Sequence, residues 1–204
     1  FSQFNPISRL DVSSDPENVA ITKPYDDKFD DKSLDPKWKW LNQAPSYDEG
    51  NISTGALQVS AGIGTNLWGT TVTGNFLYQN ISAWAYTAIL KMKATPNVPG
   101  QRAGLLAYVN NSAWVAFLYG NDSTGMKLTR INTYGGNSAQ TNISLDANPL
   151  YLRLDRGYTG GATFRFLYST DGTGYTNVNA MNVTWTNAYP SFTWAGPVLT
   201  DGTS

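Results

Sequence analysis

The chain has 204 residues and a formal net charge of −1, and it contains no histidine, no cysteine and only two glutamates, Glu17 and Glu49. Those absences exclude a Ser-His-Asp triad, an imidazole general base and the ordinary zinc, copper, haem and iron–sulfur sites. The scattered Lys and Arg exclude a basic surface that tracks nucleic acid, and no apolar run approaches the roughly 18 residues of a membrane span. Carboxylate chemistry, hard-cation binding or no chemistry remain.

Apolar residues make up 41% of the chain, enough for a core, while charged residues make up only 14%. An average soluble domain carries about 25% charged residues. A surface of Asn, Ser, Thr, Gly and Tyr suits a secreted or cell-surface protein. The start at Phe1 rather than Met fits a leader already removed.

Residues 1–24 hold Pro6, Pro16 and Pro24 and two short alternating pieces, Leu10 with Val12 and Val19 with Ile21. They read as an extended N-terminal tail ahead of a sandwich over 25–204. Residues 1–50 carry ten acids and six bases, a net of −4; residues 51–204 carry five acids and eight bases, a net of +3. That asymmetry favours head-to-tail contact only weakly, because surface charges are screened within about 10 Å.

Beyond the tail the chain reads as strand after strand. Trp84–Lys93 places Trp84, Tyr86, Ala88, Leu90 and Met92 on one face. Ala103–Val109 and Ala113–Tyr119 are nearly continuous apolar runs joined by Asn110-Asn111-Ser112, as in a hairpin covered on both faces. Leu150, Leu152 and Leu154 alternate with Tyr151, Arg153 and Asp155. Phe164, Phe166 and Tyr168 alternate with Thr163, Arg165 and Leu167. Period two marks half-buried antiparallel strands. Turn residues fall between the runs, at Thr73-Gly74-Asn75, Pro99-Gly100, Tyr134-Gly135-Gly136-Asn137, Thr159-Gly160-Gly161 and Ser169-Thr170-Asp171-Gly172. No segment has a 3.6-residue period. The expectation is an all-β, two-sheet antiparallel sandwich of about 12 to 14 strands.

Several segments carry a resemblance. Tyr25-Asp26-Asp27-Lys28-Phe29 with Leu34-Asp35-Pro36-Lys37-Trp38-Lys39-Trp40 forms an opening. Gly55-Ala56-Leu57-Gln58-Val59, Gln101-Arg102-Ala103-Gly104-Leu105-Leu106-Ala107-Tyr108, Leu150–Leu154 with Tyr168–Gly172, and Trp194-Ala195-Gly196-Pro197-Val198 follow in order. Together they resemble the concanavalin-A-like jelly-roll modules at the C-terminus of bacterial β-xylosidases. The resemblance implies the fold over about 25–204; a sandwich hosts many functions. Glycosidases of this superfamily are similar to one another in placing two glutamates on adjacent strand positions. Here Glu17 lies in the tail and Glu49 in a loop, and the one strand-borne acid is Asp155, so the chain is expected not to be an enzyme.

Three kinds of candidate site remain. Asp26, Asp27, Asp30 and Asp31, near Asp35, could ligate calcium through carboxylate oxygens, or form a solvated acidic loop. Asp171-Gly172-Thr173-Gly174 is similar to a calcium or sialidase-type turn and reads as a hairpin turn; no other cofactor is implied. Trp68, between glycines, is the best candidate for an exposed sugar platform, whereas Trp38, Trp40, Trp84, Trp114 and Trp194 read as core. Six Asn-x-Ser/Thr sequons, at Asn51, Asn80, Asn110, Asn121, Asn142 and Asn182, offer sites for N-glycans, with Asn110 and Asn121 at loop positions.

Two functional readings follow. In the first, the tail donates Leu10, Val12, Val19 and Ile21 to the sheet of a second copy, building an open-ended homopolymer. That layout resembles donor-strand filament proteins, including archaeal surface threads. In the second, the chain is a carbohydrate-binding module and the polysaccharide is its partner. A surface domain with no defined ligand is the bland third.

Overall fold

The structure is a computed structural model. It describes residues 25–29, 33–41, 47–48, 56–60, 75–133, 139–147, 150–158, 161–186 and 193–201. The chain divides into two compact units, residues 1–37 with 48–58 and residues 38–47 with 59–204. The tail positions Leu10, Val12, Val19 and Ile21 lie outside the described residues.

In the first unit Asp26, Asp27 and Asp35 gather around one lysine. Lys37 Nζ donates to the Asp26 carbonyl at 2.6 Å and lies 3.5 Å from Asp27 and 3.3 Å from Asp35. Asp27 and Asp35 also accept the backbone N–H groups two residues on, from Phe29 and Lys37. Such Asx-type turns hold the backbone without help from the core.

Fourteen strands occur among the described residues, at the upper end of the expected range, with one 3-10 turn at Asn179–Met181 and no α-helix. The larger sheet contains β1 (Lys39–Leu41), β4 (Asn75–Ile81), β6 (Gln101–Asn110), β7 (Ala113–Asn121), β8 (Met126–Asn132), β9 (Ala139–Ser144) and β14 (Thr193–Asp201). Its order is β1-β4-β14-β6-β7-β8-β9. The smaller sheet contains β5 (Tyr86–Met92), β10 (Leu150–Tyr158), β11 (Ala162–Ser169) and β12 (Thr176–Asn177), in the order β12-β11-β10-β5, with β13 (Val183–Trp185) also paired to β11. β2 (Tyr47–Asp48) and β3 (Gln58–Val59) make a two-stranded ladder. Every described pairing in the two larger sheets is antiparallel.

Alternation builds the core. Leu105, Ala107, Val115, Phe117 and Leu128 of the larger sheet meet Leu150, Leu152, Leu154, Phe164 and Phe166 of the smaller one. Phe117 and Phe166 meet across the interface as a tilted pair, with ring centroids 5.3 Å apart. The Trp185 indole on β13 donates to Asn132 Oδ1 on β8 at 2.9 Å, which ties the two sheets by a hydrogen bond. The opposite face of the larger sheet is buried too, through Phe76, Leu106, Tyr108, Trp114, Ala116, Leu118, Ile131 and Val198. This explains the continuous apolar runs of β6 and β7: a strand buried on both faces loses the polar half of its alternation.

The turn chemistry takes the expected form where it is described. The β6–β7 hairpin closes through Asn111-Ser112, and Asn110 Oδ1 accepts the Ser112 N–H. After β11, Asp171 Oδ1 accepts the N–H groups of Thr173 and Gly174 and the Ser169 hydroxyl, while Gly172 adopts φ +80° beside the Tyr151 ring.

One residue departs from the expected core. Trp84 was placed with Tyr86, Ala88, Leu90 and Met92, yet it is 49% exposed. A bend at Trp84-Ala85 precedes β5, so the period of two starts only at Tyr86. The position opposite Tyr86 is Arg156, whose guanidinium closes this end of the core and donates to the Ala83 carbonyl. Trp84 lies beyond that plug. Trp114 is fully buried, Trp38 and Trp40 are half-buried, and the Trp194 side chain lies outside the described residues.

Candidate functional site: the open face and rim of the smaller sheet

A ligand site needs exposed surface on which polar and aromatic groups are already fixed. Both faces of the central strands of the larger sheet are buried. The outward face of the smaller sheet is open, and its register arranges side chains in rows.

One row is Thr87, Asp155 and Arg165, on β5, β10 and β11. The next is Ile89, Arg153, Leu167 and Asn177, and the third is Lys91, Tyr151 and Ser169. The buried Asp155 carboxylate organises the first two. Its Oδ1 accepts Thr87 Oγ1 at 2.7 Å and Arg153 Nε at 2.8 Å, and its Oδ2 accepts Arg153 Nη2 at 3.1 Å and Arg165 Nη2 at 3.2 Å. Arg153 also lies over the Tyr175 ring at 5.6 Å, and the bond to Asp155 raises its pKa above the ordinary arginine value. Lys91 Nζ lies 5.7 Å over the Tyr151 ring. Ring faces attract cations, so both charges are held in place rather than left to wander.

Asp155 is the one strand-borne acid expected from the sequence; β2 also ends on Asp48 and β14 on Asp201, neither of them in this sheet. Both Asp155 oxygens are engaged by cations and a hydroxyl, and β5, β10 and β11 hold no second carboxylate. Glycoside hydrolysis by a carboxylate pair has no partner residue on these strands.

The end of this sheet carries an aromatic rim. Trp84 and Tyr158 meet edge to face, with centroids 5.2 Å apart and planes at 64°. They are 49% and 46% exposed. Behind them Arg156, over the Tyr86 ring at 5.9 Å, holds the Ala83 carbonyl at 3.1 Å and so positions the chain that presents Trp84. Burial lowers the pKa of this guanidinium.

The other sequence candidates are not brought to this face. In the acidic opening the Lys37 ammonium sits among Asp26, Asp27 and Asp35, where a cation would be expected; Asp30 and Asp31 lie outside the described residues. Among the described residues no group of three acids is arranged for a metal. Trp68 and Asn51 also lie outside them. Asn80, Asn110, Asn142 and Asn182 are exposed, and Asn121 is half-buried at the end of β7. Sequence reasoning missed the Trp84–Tyr158 pair and the cationic rows. The β10–β11 pairing held the signal, since it sets Asp155 opposite Arg165.

A family model described as the β-xylosidase C-terminal concanavalin A-like domain matches residues 26–198. The chain belongs to this family. No curated protein matches it. Among solved structures, this concanavalin A-like domain is similar to a functionally unknown protein from Saccharomyces cerevisiae, at 18% identity and a TM-score of 0.69, over 80% of this chain and 86% of that one. It is also similar to a GH43 protein from Bacillus licheniformis, at 18% identity and a TM-score of 0.71, over 87% of this chain and 36% of that one. A xylan β-1,4-xylosidase from Bacillus halodurans gives 19% and 0.64, over 86% and 35%. The domain thus spans about a third of the GH43 chains it matches. At these identities the likeness is one of fold.

Proposed function

We propose that this concanavalin A-like domain is a non-catalytic, secreted module that contacts glycans through the Trp84–Tyr158 rim. The exposed, mutually packed aromatic pair carries the reading: a rigid ring offers apolar contact to the C–H face of a sugar at little entropic cost. Family membership supports it, because the matched domain occurs in proteins that act on polysaccharide, one of them a xylan β-1,4-xylosidase. Exposed sequons at Asn80, Asn110, Asn142 and Asn182 suit a secreted chain that carries N-glycans. No described residue bears on the donor-strand polymer.

The test is native electrophoresis through gels with and without soluble xylan, arabinoxylan, mixed-linkage glucan or polygalacturonate. At least one polysaccharide should retard the full chain. Trp84→Ala should abolish the retardation and leave the thermal midpoint nearly unchanged, since the ring lies outside the core. Unretarded migration in every gel defeats the proposal.

A further inference from the structure

We propose that the open face of the smaller sheet selects glycans that bear carboxylates, uronate-containing polysaccharides in particular; this rests on the glycan reading and names the class of ligand. Lys91, Arg153 and Arg165 occupy consecutive outward rows on three adjacent strands, β5, β10 and β11. Two residues along a strand and one strand across give a diagonal step of about 8 Å. The three residues therefore rise from a slanting row of backbone positions, while Arg153 and Arg165 converge on the one Asp155 carboxylate. The face thus offers a guanidinium pair and a separate ammonium spread over three strands, an extent suited to a polymer rather than to one small anion.

The charge count has the right sign. Lys93, one residue past the end of β5, is exposed beside this face. Against these four cations stand Asp155 on the sheet and Asp171 in the adjoining turn, a local net of +2 on a chain whose total is −1. The row is also preorganised. Asp155 fixes both guanidiniums, Tyr175 lies under Arg153 and Tyr151 under Lys91. The Arg165 side chain is still 60% exposed, so it can donate outward while held by Asp155 through Nη2. Guanidinium donors suit the two oxygens of a carboxylate.

A protein partner fits less well. Protein interfaces are built around an apolar or aromatic centre and are depleted of lysine. On this face the large exposed apolar side chain is Ile89, amid Lys91, Lys93 and two arginines.

The experiment measures binding of the full chain to polygalacturonate and glucuronoxylan, with neutral arabinoxylan and inorganic polyphosphate as the comparison probes. At low salt the uronate polymers should bind roughly tenfold more tightly than arabinoxylan. The preference should collapse between about 0.01 M and 1 M salt, as the screening length falls from about 30 Å to 3 Å. Lys91→Gln with Arg165→Gln should lower the acidic-to-neutral ratio roughly fivefold or more. Lys91→Gln with Lys93→Gln, which leaves Asp155 and its partners untouched, should lower it in the same direction. An acidic-to-neutral ratio near one overturns the inference and leaves the glycan reading standing. A ratio indifferent to both double variants also overturns it, as does equal binding of polyphosphate. So does salt-sensitive self-association that competes with uronate, which would give the face to a second copy. Failure to bind any polysaccharide, neutral or acidic, removes the underlying reading as well.

Discussion

Three aspartates at turns share one device. Asp171 is held well below the usual carboxylate range by the backbone N–H of Thr173, then by Ser169 and Gly174. Asp122 is lowered chiefly by the Thr124 hydroxyl, and Asp35 chiefly by the Lys37 N–H. A carboxyl whose folded pKa lies below its unfolded value stabilises the fold at pH above the unfolded value. That contribution fades as pH falls toward the folded value. The sign is the same for all three, so the unfolding midpoint should begin to drop as pH falls below the ordinary aspartate value of 3.8. Asp171→Asn keeps an oxygen acceptor for the turn but removes the titration. Its midpoint, followed by circular dichroism from neutral pH into acid, should change less than that of the parent. A parallel decline in both proteins would contradict this assignment.

At the scale of strands, period two made β10 and β11 legible, because each has one face on the core and one in water. β6 and β7 were legible for the opposite reason, as apolar runs too short for helices and joined by turn residues. Trp84 was misread because periodicity says nothing about where a strand begins. A bend and the Arg156 plug, neither visible as pattern, put the ring outside. The cationic rows were hidden for a related reason: alternation shows which residues face outward, but only cross-strand register shows which of them meet. Two substitutions probe the element packing. Asn132→Leu removes the acceptor of the Trp185 indole between the sheets and should cost about 1–3 kcal/mol. For a chain of this size each kcal/mol lowers the thermal midpoint by about 2–4 °C, readable by calorimetry. Gly104→Ala should be worse, since a Cβ there would lie 2.1 Å from the Phe117 carbonyl oxygen on β7. A neighbouring backbone cannot swing aside, so little folded protein should be recovered on expression. A well-folded Gly104→Ala variant would show that the β6–β7 spacing is looser than described.

For the molecule as a whole, the fold class followed from composition and period, and the family match over 26–198 agrees with it. The functional site was less legible, because it depends on which faces stay open after packing. Burial of both faces of the central strands of the larger sheet leaves, among the described residues, the smaller sheet and its rim as the open surface proposed to meet a ligand. The most direct measurement of that claim is a titration of the 15N-labelled full chain with the oligosaccharide fragment of whichever polysaccharide retards it, following the seven tryptophan indole N–H signals. The Trp84 signal should move with saturable dependence on ligand, while those of the buried Trp114 and Trp185 stay in place. Saturable binding that leaves the Trp84 signal unmoved would put the site elsewhere on the molecule and contradict the account.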